Sequence, residues 1–277
     1  MVRPPAGSVN PPRAVYRYTI ARMADGAAPR EERPFDWPKP RAFGMDAPWR
    51  WLRAGLADLR AAPAASLFYG AVLALMGFLL TRFYEGAVGL AFTTGFLLVG
   101  PFLVIGLYDV SRRRERGEAP RLAPTLVAWR ANAPAIGFYA LILTLTLAVW
   151  IRVSIVVVAL FFPDGVPDAA ELLSAPDAWV FALAYAGAGG GLALLVFATS
   201  AVSLPMLLDR RNMDVISAMI VSFNVLRANF APMLLWAAMI VALTALGFAT
   251  WYLGLVVTLP LVGHGAWHAY REAVEPA

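Results

Sequence analysis

Two histidines, His264 and His268, are the only imidazoles in a chain of 277 residues. Four positions apart on a helix, they share a face, and that spacing could hold a metal ion. The chain has no cysteine, and no carboxylate is obviously placed to complete a ligand set. Two ligands alone make a weak site. The pair therefore reads better as interfacial histidines beside Trp267 and Tyr270, and no cofactor is expected.

Arg152 lies inside a long apolar run. A charge within a membrane span points to function or to a buried partner. It could bind substrate, snorkel to the interface, or pair with Glu85, Asp164 or Asp168. Asp109 and Asp209 each end an apolar run beside arginines and read as structural ion pairs. No carboxylate lies deep in a run, which counts against proton-coupled transport. Gly187, Gly189, Gly190 and Gly191 fall in the middle of another run. Gly187 and Gly191 form a small-xxx-small pair suited to close helix packing, or they mark a hinge or an unwound substrate site. No phosphate loop, zinc-protease motif or hydrolase elbow is present, so no enzymatic activity is expected.

The elements that must position these residues follow from composition. The chain is 60% hydrophobic and 15% charged, against about 45–50% and about 25% in soluble domains. Its apolar residues fall in runs near 64–81, 87–108, 135–162, 178–208 and 232–270. A span takes about 20 residues, so the last run is too long for one. GFATWYLG, Gly247 to Gly254, offers a turn within it. The fold expected is all-α: a polytopic membrane protein with six transmembrane helices in three hairpins, joined by short cytoplasmic amphipathic helices.

Charge orients the loops. Eleven Lys and Arg precede or include Arg60, and six lie in 109–134. PDGVPDAAELLSAPD, 163–177, has four acids and no base. The positive-inside rule then puts both termini in the cytoplasm. The Arg112, Arg113, Arg114 and Arg116 block reads as a topological anchor. The net charge of +5 serves orientation rather than nucleic-acid binding. Residues 1–45 read as a disordered Pro/Arg-rich tail without a signal-peptide core, with Met23 a second candidate start. Residues 46–272 read as the membrane domain and 273–277 as a short tail.

Three segments resemble one another: LRAAPAASLFYG from Leu59, WRANAPAIGFYA from Trp129 and LRANFAPMLLWA from Leu226. Each puts Pro63, Pro134 or Pro232 at a helix entry, where a missing N–H is tolerated. Each follows an amphipathic segment, with stripes at Leu52, Leu56 and Leu59, at Leu122, Leu126 and Trp129, and at Ile216, Met219, Ile220, Phe223 and Leu226. Asp46 is the expected N-cap of the first. These segments could lie in the interface or pack under the bundle. Pro101, Pro205 and Pro260 predict one kink in the second helix of each hairpin.

The stretches GFLLVGPFLVIGLYDVSRRRERGE, SLPMLLDRR and LPLVGHGAWHAYRE resemble an uncharacterised family of bacterial integral membrane proteins, known as a domain of unknown function. The matching residues are Gly100, Pro101, Tyr108, Ser111, Arg112, Glu115 and Gly117, then Pro260, Gly263, His264, Trp267, His268, Tyr270 and Arg271. Some members carry the label of a cytochrome c oxidase subunit. Two histidines at one helix end cannot serve an oxidase core, so the resemblance implies an accessory role at most. The functions expected are an accessory or scaffold protein in the bilayer, with respiratory-chain components among its candidate partners, or a transporter or channel for a small solute or lipid. The transport reading requires Arg152, Gly187, Gly191 and the three prolines to line one cavity. A third reading is haem or metal binding through His264 and His268.

Overall fold

The computed structural model describes residues 37–82, 103–163 and 177–276. Pro101, Gly100, Glu85, Asp164, Asp168 and the N-terminal tail through residue 36 lie outside them. The described part is all-helical, with an isolated antiparallel bridge between Pro40 and Val274.

Helix α1, Ala47–Ala61, meets α2, Pro63–Arg82, at a bend of 107°. Pro63 opens α2, and its ring disfavours helical backbone at the residue before it; Ala62 accordingly has φ −132°, ψ 56°. Helix α3 is described over 103–115. A short α4, Leu122–Thr125, and a 3₁₀ turn, Ala128–Asn132, lead into α5, Ala133–Phe161, with Pro134 in its first turn. Then come α6, Ala178–Ser200, α7, Ser203–Asp209, α8, Val215–Ala228, α9, Phe230–Ala249, and α10, Leu255–Ala273. Between α9 and α10 the chain turns through Trp251 and Tyr252, both at positive φ.

Three helical stretches among the described residues are long and apolar enough to cross a membrane: Leu122–Phe161, Ala178–Asp209 and Phe230–Ala249. The bent α1–α2 pair makes a fourth if taken as one span. Helix α5 alone has 29 residues, about 43 Å at 1.5 Å per residue, well beyond a hydrocarbon core of about 30 Å.

The amphipathic segments pack differently from the leucine-stripe expectation. Helix α1 buries Ala47, Trp51, Gly55 and Asp58, while Leu52, Leu56 and Leu59 are half-buried. The reason is backbone proximity to α10: a Cβ on Gly55 would stand 2.8 Å from the Gly265 nitrogen. Helix α8 likewise buries its small face, Val215, Ala218, Val221, Ser222 and Val225, and exposes Ile216 and Phe223. Asp46 stands at the N-cap of α1 without capping it and pairs with Arg50 instead. Asp214 caps α8 by accepting from the Ser217 N–H at 2.9 Å.

Two of the three prolines fall among the described residues. Pro205 is the third residue of α7, and the helical run 178–209 is interrupted at Ala201 and Val202. Ala201 is four residues before Pro205, where the proline removes a backbone hydrogen bond and its ring crowds the carbonyl. Pro260 does lie within a helix, α10. Its missing N–H frees the Val256 carbonyl, and Gly70 of α2 sits against that carbonyl so closely that a Cβ would overlap it.

Residues Pro38–Ala277 form one unit. Its N-terminal strap is tied down by Arg41 N–H donating to the Ala273 carbonyl at 2.8 Å and by Phe43 packing edge-on against Trp51. The dense core lies at one end of the bundle, around Trp51, Tyr108, Tyr139, Leu207, Trp236 and Trp267.

Candidate functional site

The residues of the arginine block meet the ends of α1, α7 and α10 in one network. Asp109 of α3 is fully buried and accepts from Arg112 and Arg113, one and the same turn further on. Arg112 also donates to the Leu208 carbonyl at 2.9 Å, near the C-terminal end of α7. Arg114 reaches Asp58 of α1. Asp209, ending α7, takes the Tyr270 hydroxyl at 2.9 Å and pairs with Arg116 and Arg271 at 3.6 and 3.5 Å. Glu115 accepts from the Trp267 indole at 3.0 Å and from Arg271 at 2.9 Å. The block is therefore more than a topological anchor: each of its four arginines holds a carboxylate. Buried charges are tolerated when paired in this way.

Helix α3 ends here by a backbone device. The Gly117 N–H bonds the Arg114 carbonyl and the Glu118 N–H bonds the Arg113 carbonyl, with Gly117 at φ +72°. That is a Schellman cap, which requires left-handed backbone at the glycine. It explains the Glu115-x-Gly117 spacing.

The histidines do not converge. His264 is fully buried between Ser66 and Ser111, each 2.8 Å from one ring nitrogen. The Ser66 hydroxyl donates to the Ala62 carbonyl, so it must accept from His264 Nε2–H. Ser111, beside Nδ1, also stands within hydrogen-bond reach of Asp58. His268 faces Asp58 at 2.8 Å. Both His264 nitrogens are thus engaged by hydroxyls, and no cluster of three His, Cys, Asp or Glu exists among the described residues. Burial alone would raise the Asp58 carboxyl, but His268, Ser111 and Arg114 hold it down at about 2.

Arg152, Gly187 and Gly191 are not brought together. All three are exposed, and Arg152 has no ion pair among the described residues. Trp150, two residues before Arg152, turns inward, and two residues are a rotation of about 200°. The same arithmetic separates Gly189 from its neighbours. Gly189 faces Trp150, whose ring would stand 2.9 Å from a Cβ there, whereas Gly187 and Gly191 have nothing within 4 Å.

A cavity of about 770 Å³ lies between α3, α5, α6, α9 and α10, with Tyr108, Trp150, Gly189, Ser200 and Trp236 in its wall. Neither Arg152 nor Gly187, Gly191, Pro205 or Pro260 lines it. Sequence reading missed this cavity and the carboxylates Asp58, Glu115 and Glu272 as partners, the last of which pairs with Arg50 and accepts from the Trp51 indole at 2.9 Å. The signal available was an acid near each arginine cluster, but pairings between residues 58, 115, 209 and 271 are tertiary.

Two further tethers come from the repeat. Asn132 and Asn229 hold N-cap positions without capping. Asn132 donates to the Met213 carbonyl at 3.0 Å. Asn229 accepts from Phe43 N–H and donates to the Arg41 carbonyl, both at 3.0 Å.

An all-helical body with three or four candidate spans defines an integral membrane protein. Residues 89–209 match the family model described as a predicted integral membrane protein (DUF2189), in accord with the resemblance read from Tyr108, Ser111, Arg112, Glu115 and Gly117. The match gives no support to a cytochrome c oxidase label. No curated protein and no solved structure matches the chain.

Proposed function

We propose that the protein is a non-enzymatic accessory or scaffold component of the bacterial inner membrane, which assembles with other membrane proteins. It crosses the bilayer six times in three hairpins, with the arginine network and both termini in the cytoplasm. Residues 1–45 are its cytoplasmic tail. The observation that carries this reading is the network itself. The buried carboxylates Asp58, Asp109 and Asp209 are each committed to arginine, histidine or tyrosine partners that join helix ends. Such groups brace a structure, and these three are not free for acid–base work. The exposed apolar residues Ile216 and Phe223 of α8 suit an interfacial position at the same level.

The test has two parts. The chain has no native cysteine, so single-cysteine variants report topology directly. A membrane-impermeant maleimide should label Ala170→Cys in intact cells and Glu118→Cys only after lysis; the reverse pattern would sink the orientation. Tagged protein extracted in mild detergent should bring down a fixed partner in near-equal amounts. Recovery of the chain alone, from membranes in which it is intact, would rule against the scaffold reading.

A further inference from the structure

We infer that the three helix elbows of the sequence repeat bind the headgroups of anionic phospholipids, with one lipid phosphate held by each of Arg60, Arg130 and Arg227.

The repeat is structural as well as sequential. In each copy the arginine stands two residues before the break between two helical segments. The backbone at the break is nearly the same each time: φ −132° and ψ 56° at Ala62, −149° and 57° at Asn132, −133° and 46° at Asn229. Nine residues beyond each arginine an aromatic side chain is buried, namely Tyr69, Tyr139 and Trp236. The copies are therefore in register without a gap, and a common break and a common anchor leave the arginine exposed in all three. All three elbows lie at the charged end of the bundle. Ser66 there reaches His264, Asn132 reaches the Met213 carbonyl, and Asn229 holds Arg41, which is itself bonded to the end of α10.

These arginines differ from the block at 112–116, where each guanidinium holds a carboxylate. Among the described residues, Arg60, Arg130 and Arg227 have neither an ion pair nor a guanidinium hydrogen bond. Arg130 lies over the Trp129 ring at 5.5 Å, a contact that uses the face of the guanidinium and leaves its N–H edge. No Asp or Glu occurs in 59–70, 129–140 or 226–237. The charge must be balanced from outside the elbow, and the position says by what. Pro63, Pro134 and Pro232 open the apolar helices α2, α5 and α9 just beyond. Exposed Phe68, Phe138 and Leu234 follow on those helices. An arginine at the foot of an apolar helix meets headgroup phosphates, which it binds well, while acyl chains lie against the apolar side chains beyond. A zwitterionic headgroup brings its own cation, so an anionic one is favoured. Each basic residue at such a surface strengthens binding about fivefold.

The full chain is purified in a neutral detergent and weighed intact by native mass spectrometry. Phosphatidylglycerol, or phosphatidylcholine with the same acyl chains, is added. Preferential retention of phosphatidylglycerol, one lipid per elbow, is expected. Each of Arg60→Gln, Arg130→Gln and Arg227→Gln should remove one retained lipid, with affinity at that elbow falling about fivefold. The triple variant should lose the preference. A second triple variant, Arg41→Gln with Arg121→Gln and Arg211→Gln, removes the same charge from exposed positions away from the elbows and should keep it. Equal retention of the two lipids by the native chain would overturn the proposal. So would an unchanged preference in the folded elbow variant, or an equal loss in both triple variants, which would make the effect one of net charge. Displacement of phosphatidylglycerol by excess inorganic phosphate would assign the arginines to a soluble anion and would also refute it. All seven chains are compared by circular dichroism, and the single variants keep the test open if a triple variant fails to fold.

Discussion

The two ends of the helical bundle are built on opposite terms. At the charged end, α1, α3, α7 and α10 converge on Trp51, Tyr108, Leu207 and Trp267, and Asp58, Asp109, Glu115, Asp209 and Glu272 are among the acids bridged to arginines of other turns or helices. At the far end, among the described residues, α5 and α6 meet through Trp150 against Tyr185, Phe161 against Phe181 and a 2.8 Å bond between Ser154 and Tyr185. Leu145, Ile155, Leu160 and Leu183 there are all more than half exposed. The difference teaches where specificity resides. Apolar surface in lipid has no hydrophobic reason to find a partner, so directional polar contacts near the membrane boundary set which helix meets which.

The severest way to break that contrast is to empty the centre of the network. Asp109→Ala should destabilise the protein by about 3–5 kcal/mol, because it leaves Arg112 and Arg113 uncompensated beside a buried core. Thermal unfolding in detergent reads this. Gly70→Leu comes next, at about 1–3 kcal/mol or more, since the side chain must displace the Val256 backbone rather than a flexible neighbour. His264→Phe should follow at about 1–3 kcal/mol, from the stranded hydroxyls of Ser66 and Ser111.

Acid titration sharpens the same comparison. Asp58 has its carboxyl depressed to about 2 in the folded protein, below the ordinary value near 3.9. A depressed carboxyl contributes stability that is fully present above pH 4 and is lost as pH falls toward 2. The contribution is about 2 kcal/mol. Stability followed from pH 6 to pH 2 should show this component in the native chain and lose it in Asp58→Asn. The smallest effect belongs at the far end. Gly187→Ala and Gly191→Ala, with open space around each, should change stability by less than about 1 kcal/mol. Gly189→Leu, one turn-face away against Trp150, should be clearly worse in the same unfolding assay.

Much of the architecture is written in local signals. Pro63, Pro134 and Pro232 fall in helix first turns where the repeat predicts them, because proline's constraints act within a residue or four. Gly247 to Gly254 contains the turn between α9 and α10 for a similar reason. The leucine stripes misled, since periodicity reports an amphipathic helix but not which of two adjacent faces packs. Gly55 decided that for α1, through a backbone contact with residue 265. Pro205 acts at the same range: the run is interrupted at Ala201 and Val202, from four residues before the proline.

Composition and punctuation by themselves determined that this chain is helical, apolar enough for a membrane, and divided at its prolines and glycines, because those are properties of single residues and short runs. Only the tertiary structure decided that Arg114 serves Asp58, that His264 lies between two serines, and that Gly189 rather than Gly187 meets another helix. Each of those depends on the rotation of one helix about its axis relative to another. A shift of two residues reverses the face presented, and nothing in the local sequence fixes that angle.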